Sequence, residues 1–132
     1  TGLSDECGAT GSATVVFTAT DECGNTSTTT ATFTIVDTTA PVFDSTPGDI
    51  TVECDSVPAA DVLTATDSCS GVATVTYNGE VMTPGSCAGE YTLTRTWTAS
   101  DACGNEDVYT QVITVVDTTS PVMDIDAQNM TV

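Results

Sequence analysis

Residues 91–105 read YTLTRTWTASDACGN, and the first ten of them alternate almost without fault. In an extended chain Thr92, Thr94, Thr96 and Thr98 fall on one face, while Leu93, Arg95, Trp97 and Ala99 fall on the other. β-branched residues at every second position favour a pleated strand and resist a helix. The strand has one wet face and one face to bury. Trp97 is the natural anchor of the buried face. The other reading of this ring, a surface on which a ligand stacks, would require it to be exposed. Arg95 shares the face with Trp97, so its stem is expected to pack there while its guanidinium pairs with a nearby carboxylate. The run ends in DACGN, where Gly104 supplies the backbone angle that a tight turn needs.

The same period of two extends outward from this stretch. It predicts strands near 50–54, 61–67, 72–82, 90–100 and 108–116, and no segment carries helical periodicity. In the last of these, Tyr109, Ile113 and Val115 share one face, opposed by Val108, Thr110, Val112 and Thr114. The tetrapeptide YNGE at 77–80 is a hairpin signal, which leaves two readings open: one strand over 72–82, or two. About 80 residues with five to seven short strands and turn residues between them suggest a small all-β domain, an immunoglobulin-like sandwich.

The chain also repeats itself. An offset of 80 lays Cys23 on Cys103 and Cys7 on Cys87, FTATDECGN on WTASDACGN, and FTIVDTTAPVFD on ITVVDTTSPVMD, without a gap to the last residue. Phe17 becomes the counterpart of Trp97. A fixed period over this length marks a tandem array. VDTTAP at 36–41 and VDTTSP at 116–121 look like linkers closed by proline. This phase divides the chain into residues 1–38, the C-terminal half of one repeat; 39–118, a complete repeat; and 119–132, the first strand of the next.

Composition narrows the functions. Nineteen acids face one base, Arg95, with no lysine and no histidine, giving a formal charge of -18. Nucleic acid is excluded as a partner because nothing neutralises phosphate, and direct contact with an anionic membrane is excluded by the same repulsion. Such a surface attracts cations, or else serves as a hydrated coat that confers solubility. Threonine makes up roughly a fifth of the chain, in keeping with strands. There is no long apolar run, and TGLSDECGAT at the start lacks the basic and apolar regions of a secretion signal, which is expected to lie upstream or to have been removed. Six cysteines without a histidine read as disulfides and place the protein outside the cytoplasm.

Four cysteines fall in the complete repeat: Cys54, Cys69, Cys87 and Cys103. Pairing Cys87 with Cys103 fails, because the ten-residue strand between them spans roughly 33 Å, whereas a disulfide tolerates a Cα separation of about 4.4–6.8 Å. Alternating strand directions bring Cys69 and Cys103 to one pole, and Cys54 and Cys87 to the other. The expected bridges are Cys69–Cys103 and Cys54–Cys87. Cys7 and Cys23 should then be unpaired within the chain. This pairing assumes that YNGE does not reverse the strand that follows.

The motif TATDEC at 18–23 returns as TATDSC at 64–69 and TASDAC at 98–103, so an aspartate stands two residues before each of three cysteines. A Cys69–Cys103 bridge would gather Asp67 and Asp101 at one pole, together with Asp37 of the linker and Asn105 of the DACGN turn. Carboxylates converging with amide and backbone oxygens are what calcium requires. The expected junction site is Asp37, Asp67, Asp101 and Asn105, with Asp44 a further candidate. Asp21 and Asn25 would serve the preceding junction and Asp117 the following one. The competing reading is that these aspartates cap their own turns.

With these residues quoted, a resemblance becomes specific. YTLTRTWTASDACGN, TQVITVVDTTSPV and the upstream ITVECDSVP resemble the hyalin-repeat-like, immunoglobulin-type modules of long tandem arrays in bacterial surface adhesins, including the very large adhesins of gliding bacteria exported by the type IX system. The resemblance covers the complete repeat and both partial ones. It implies a secreted, rod-like array that serves adhesion or builds a surface filament. It also implies glycosylation, for which NTS at Asn25 and NMT at Asn129 offer N-linked acceptors, and Thr38 and Thr118 in the Asp-Thr-Thr linkers offer O-linked ones.

Two functions compete. In the first, the repeats are spacers whose partners are neighbouring repeats of the same chain or filament, presenting a tip that meets a surface or glycan ligand. In the second, each module grips carbohydrate or another surface itself, which calls for exposed aromatics. An enzyme is not expected, since histidine and lysine are lacking and a small sandwich offers no evident cleft for a carboxylate pair. Without lysine, no Lys-Asn isopeptide crosslink can stiffen such an array.

Overall fold

A computed structural model describes residues 7–124 of the chain. Every regular element in that range is a strand. β1 (Gly11–Thr20) and β2 (Thr26–Ile35) form an antiparallel hairpin that stands as a separate two-stranded sheet. The other six are β3 (Val42–Phe43), β4 (Ile50–Glu53), β5 (Ala65–Asp67), β6 (Gly71–Pro84), β7 (Tyr91–Ser100) and β8 (Glu106–Val116). They lie in the order β3-β5-β6-β7-β8-β4. β6 is long enough to serve two layers: its first residues pair with β5, and the remainder pairs with β7. The class is all-β, as the alternation predicts, with strands arranged in the manner of a β-sandwich.

The quoted stretch forms β7 and buries the face expected of it. Leu93, Arg95, Trp97 and Ala99 are buried, with Trp97 only 1% exposed. In β8, Ile113 and Val115 are buried on the matching face, joined by Gln111, whose amide donates to the Gly48 carbonyl at 2.9 Å. Leu93, Ile113 and Val115 form one apolar cluster; Ala65, Ala73 and Ala99 form a second. Burial of the tryptophan rules out the ligand-stacking role for its ring. Arg95 meets the carboxylate its position called for, donating through Nε to Glu80 at 2.9 Å. Its Nη2 also reaches the Pro58 carbonyl at 2.7 Å.

The YNGE question resolves in favour of one strand. Asn78 is an extra residue between the pairs Tyr77–Trp97 and Thr96–Gly79, and Gly79 takes a φ of +100°. That is a β-bulge, which bends the strand without reversing it. The strand predicted over 61–67 forms only at 65–67. Ahead of it the backbone passes over β7, where the Arg95 guanidinium and the Trp97 indole N–H, the latter to Asp61 at 3.1 Å, take the carbonyls that a neighbouring strand would otherwise take. β4 adds to β8 in parallel, held by Val112 N–H donating to Asp49 at 2.7 Å and by Tyr109 hydroxyl donating to the Pro47 carbonyl. Of residues 119–132, expected to hold the first strand of the next repeat, only 119–124 are described, so that expectation falls mainly outside the described residues.

The β1–β2 hairpin repeats β7–β8 in register. Gly11 pairs with Ile35 as Tyr91 pairs with Val115, and each rung between follows at the same offset. Its burial repeats only at the start of β1, where Ala13 is buried like its counterpart Leu93. Phe17, the counterpart of Trp97, is 56% exposed. No strand of the described residues pairs with either edge of this hairpin, so the ring has nothing to pack beneath.

Candidate functional site

The end of β7, the end of β5 and the linker after β2 meet at one pole. Each of these turns is built by an aspartate that accepts from the backbone ahead of it, which is why the motif places the acid two residues before the cysteine. Asp101 accepts from Cys103 N–H at 2.8 Å and Asn105 N–H at 2.9 Å through Oδ1, and from Asn105 Nδ2 at 2.8 Å through Oδ2. Burial works against its ionisation, but these donors outweigh it and hold the Asp101 carboxyl below the usual range. Asp67 is buried and accepts from Cys69 N–H at 2.7 Å and from Ser70 N–H at 2.8 Å. The Ser70 and Cys69 amides likewise lower its pKa.

Asp37 differs from both. Its Oδ1 accepts from Thr39 N–H at 3.0 Å, but Oδ2 is shielded from solvent and reached by no donor. Ligand atoms of Asp37, Asp67 and Cys69 lie within 4.8 Å of one another. Asn105 ties this group to the third turn by donating through Nδ2 to the Asp37 carbonyl at 3.1 Å. Four expected junction residues, Asp37, Asp67, Asp101 and Asn105, are thus contiguous, although Asp101 is engaged as a turn cap. Cys69 joins the cluster as a sulfur donor, which the expectation of an all-oxygen site did not include.

The other candidates lie elsewhere. Asp44 accepts from the hydroxyls of Thr64 at 2.6 Å and Thr66 at 3.1 Å, away from this pole. Asp21 and Asn25 repeat the Asp101–Asn105 turn at the tip of the β1–β2 hairpin, with Asn25 Nδ2 donating to Asp21 at 2.8 Å. Asp117 repeats Asp37, accepting from Thr119 N–H at 3.1 Å. Among the glycosylation candidates, Asn25 is engaged as described, Thr118 donates its hydroxyl to Glu53, Thr38 is exposed, and Asn129 lies outside the described residues.

The disulfide pairing departs from expectation. Cys103 is bonded to Cys7, with Cα atoms 5.2 Å apart, and not to Cys69; Cys54 and Cys87 are also free thiols. The poles themselves are as expected. Gly8, at a φ of +55°, sits so close to the turn after β5 that a Cβ on it would meet Ser70 at 3.0 Å and the Cys69 carbonyl at 3.2 Å. Cys7 therefore reaches the pole shared by Cys69 and Cys103 and takes the sulfur that Cys69 was expected to hold. β1 starts beside the end of β2, which brings Cys7 near the Asp37 linker but does not by itself decide between Cys7 and Cys69 as the partner of Cys103.

An apolar cleft lined in part by Val62, Leu63, Tyr77 and Trp97 holds about 170 Å³, below the roughly 300 Å³ of ordinary small-ligand sites. A search of curated proteins returns no match. A family model described as the HYR-like domain with 4 cysteines matches residues 42–115, a stretch that contains Cys54, Cys69, Cys87 and Cys103. HYR-like domains are adhesion-type modules of extracellular proteins and not catalysts. Since the match covers more than half of the chain, the protein belongs to the HYR-like domain family.

Proposed function

We propose that the chain is part of an end-to-end array of such modules on a cell surface, acting as a stiff spacer or filament and stiffened at each junction by a disulfide and a calcium ion. The observation that carries this reading is the orphaned Asp37 Oδ2, held against Asp67 where the linker enters the module. A buried carboxylate oxygen without a donor is costly unless a cation or a proton meets it. The donor set fits a hard cation in part: Asp37 and Asp67 would supply carboxylate oxygens, and Asn105, whose Nδ2 donates to the Asp37 carbonyl, would have to turn its amide to add an oxygen. By the repeat, Asp117 is the equivalent donor at the following junction, while Asp21 and Asn25 stand where Asp101 and Asn105 stand. The array would present its surface or glycan ligand at a distant tip. The buried Trp97 and the small cleft beside it favour the spacer, whereas the exposed Phe17 and Phe33 of the β1–β2 hairpin are the aromatics that a carbohydrate-gripping module would use.

Calorimetric titration of the chelator-treated protein is expected to show calcium binding, with dissociation in the range of roughly 10⁻⁴–10⁻³ M common for extracellular modules, and a rise in melting temperature. Asp37→Asn should abolish both. Zinc belongs in the same titration because Cys69 is in the cluster; zinc binding without calcium binding would replace the ion in this reading. No response to either ion would remove the cation from it.

A further inference from the structure

Three aromatic rings form one rung across the middle of the sheet. Tyr77 of β6 pairs with Trp97 of β7, and Trp97 pairs with Tyr109 of β8. Residues paired across strands project to one face, so the rings stand side by side. Their centroids are 5.2 Å apart from Tyr77 to Trp97 and 6.1 Å apart from Trp97 to Tyr109, and Phe43 follows 6.0 Å from Tyr109. These are contact separations for aromatic pairs. Electron transfer weakens steeply with distance, so rings in contact offer it the shortest steps. We propose that this rung is an electron relay, in which Tyr77 restores Trp97 after a one-electron oxidation and carries the oxidising equivalent to the surface.

The polar groups around the rings set the direction. Trp97 is buried, and its indole N–H donates to the Asp61 carbonyl, which is too weak a base to take the proton. An oxidised Trp97 therefore keeps its proton, and with it a positive charge, in an apolar site where charge is costly. It draws an electron from a neighbouring ring. A phenol yields its electron readily only when its proton can leave as well. The Tyr109 hydroxyl donates to the Pro47 carbonyl, again no base. Tyr77 is 41% exposed, and water accepts its proton. Phe43 has no hydroxyl and closes the row. The relay ends at Tyr77.

Strand pairing alone does not require this row. The β1–β2 hairpin places Phe17 opposite Thr29 at the positions of Trp97 and Tyr109, in the same register and without an oxidisable ring.

The charge of the chain selects the oxidant. Nineteen acids against one base repel anionic radicals, which leaves neutral ones such as peroxyl radicals. The cleft of about 170 Å³ lined in part by Tyr77 and Trp97 gives a small one its approach to the indole. The peroxyl radical takes one electron from Trp97 and one proton from water, and becomes a hydroperoxide. Tyr77 then gives one electron to Trp97 and one proton to water, leaving an intact indole and a neutral phenoxyl radical. A soluble reductant of the ascorbate class returns one electron and one proton to Tyr77. The anchor of the core is not consumed.

Trp97 is the one tryptophan of the chain, so a laser flash at the red edge of the absorption band photoionises that ring alone, with a soluble acceptor collecting the ejected electron. Transient absorption of the full chain is expected to show the tryptophanyl band decaying as a tyrosyl band grows. Tyr77→Phe, which keeps a ring in place, should abolish that growth and prolong the tryptophanyl band, and Tyr109→Phe should leave both unchanged. A tyrosyl band that grows equally in Tyr77→Phe, one that is lost in Tyr109→Phe, or none in the unmodified chain would overturn the relay. Steady exposure to peroxyl radicals, followed by peptide mass spectrometry, separates it from mere exposure of Tyr77. More Trp97 is expected to be oxidised in Tyr77→Phe than in the unmodified chain, and equal loss of Trp97 in the two would sink the proposal. The relay belongs to a single module, so its outcome is independent of the array and of its cation.

Discussion

The β1–β2 and β7–β8 hairpins are near copies in sequence and copies in register, yet one is a core and the other, beyond Ala13, is a surface. Phe33 and Ile35 are 51% and 41% exposed, whereas their counterparts Ile113 and Val115 are 0% and 1% exposed. The difference does not arise within the hairpins. β7 is flanked by β6 and crossed by the backbone of 58–61, and β8 is flanked by β4. Local alternation makes the strand, and the neighbouring strands decide whether its apolar face is buried.

The sharpest way to break this contrast is a paired truncation. Trp97→Ala should cost about 3–5 kcal/mol of unfolding free energy, the range for a buried aromatic whose cavity cannot fully collapse. Phe17→Ala should stay within about 0.5 kcal/mol, as for a surface position. Denaturant unfolding of the full chain measures both. Comparable losses at the two sites would mean that the β1–β2 face is covered in solution.

A smaller effect is expected one pair of positions away. Arg95 is 4% exposed, and its guanidinium serves both Glu80 and the Pro58 carbonyl. Glu80 is partly exposed, so the ion pair itself contributes little. The cost of Arg95→Ala lies in the lost hydrogen bond to the Pro58 carbonyl and in the lost packing of the buried stem, about 1–3 kcal/mol. Arg95→Met, which keeps the stem, should recover part of that loss. Val15→Ala, at the counterpart site, should again stay within about 0.5 kcal/mol. A melting temperature equally insensitive at both sites would show that the 58–61 crossing is not held through Arg95.

These contrasts mark what could be read from residues alone. The inward set Leu93, Trp97, Ala99, Ile113 and Val115 followed from a period of two, because a strand's two faces are fixed by its own geometry. Residues 61–64 did not follow: the adjacent Val62 and Leu63 break the alternation, and the Asp61 carbonyl is taken by the Trp97 indole instead of a neighbouring strand. The convergence of Asp37, Asp67 and Asn105 was legible because turn motifs fix where strands end, and the poles follow from strand direction. Which sulfur Cys103 takes was not legible, since Cys7 and Cys69 both reach that pole. The choice rests on the close approach of Gly8 to Ser70, a contact between distant parts of the chain that no local pattern encodes.

The smallest effect concerns the one feature that the two hairpins share in full, the capped turn. Asp21 is held below its ordinary 3.8 by the Asn25 side chain first and then by backbone amides; Asp101 is lowered too, its donors outweighing burial. A depressed folded-state pKa contributes stability that is present above the unfolded value and is lost as pH falls through the folded one. Each turn should therefore weaken as pH drops below about 3.8, and carboxyl-carbon NMR titration should find both aspartates ionising below that value. Their global consequences should differ. The Asp101 turn closes a hairpin built into the core, so Asp101→Asn should flatten the acid limb of the unfolding curve. The Asp21 turn closes a hairpin without covering strands, so Asp21→Asn should leave that limb unchanged and alter only local signals of β1 and β2. Equal flattening by both substitutions would show that the hairpins unfold as one cooperative unit, with the Cys7–Cys103 bond and the Asp37–Asn105 contact transmitting the coupling between them.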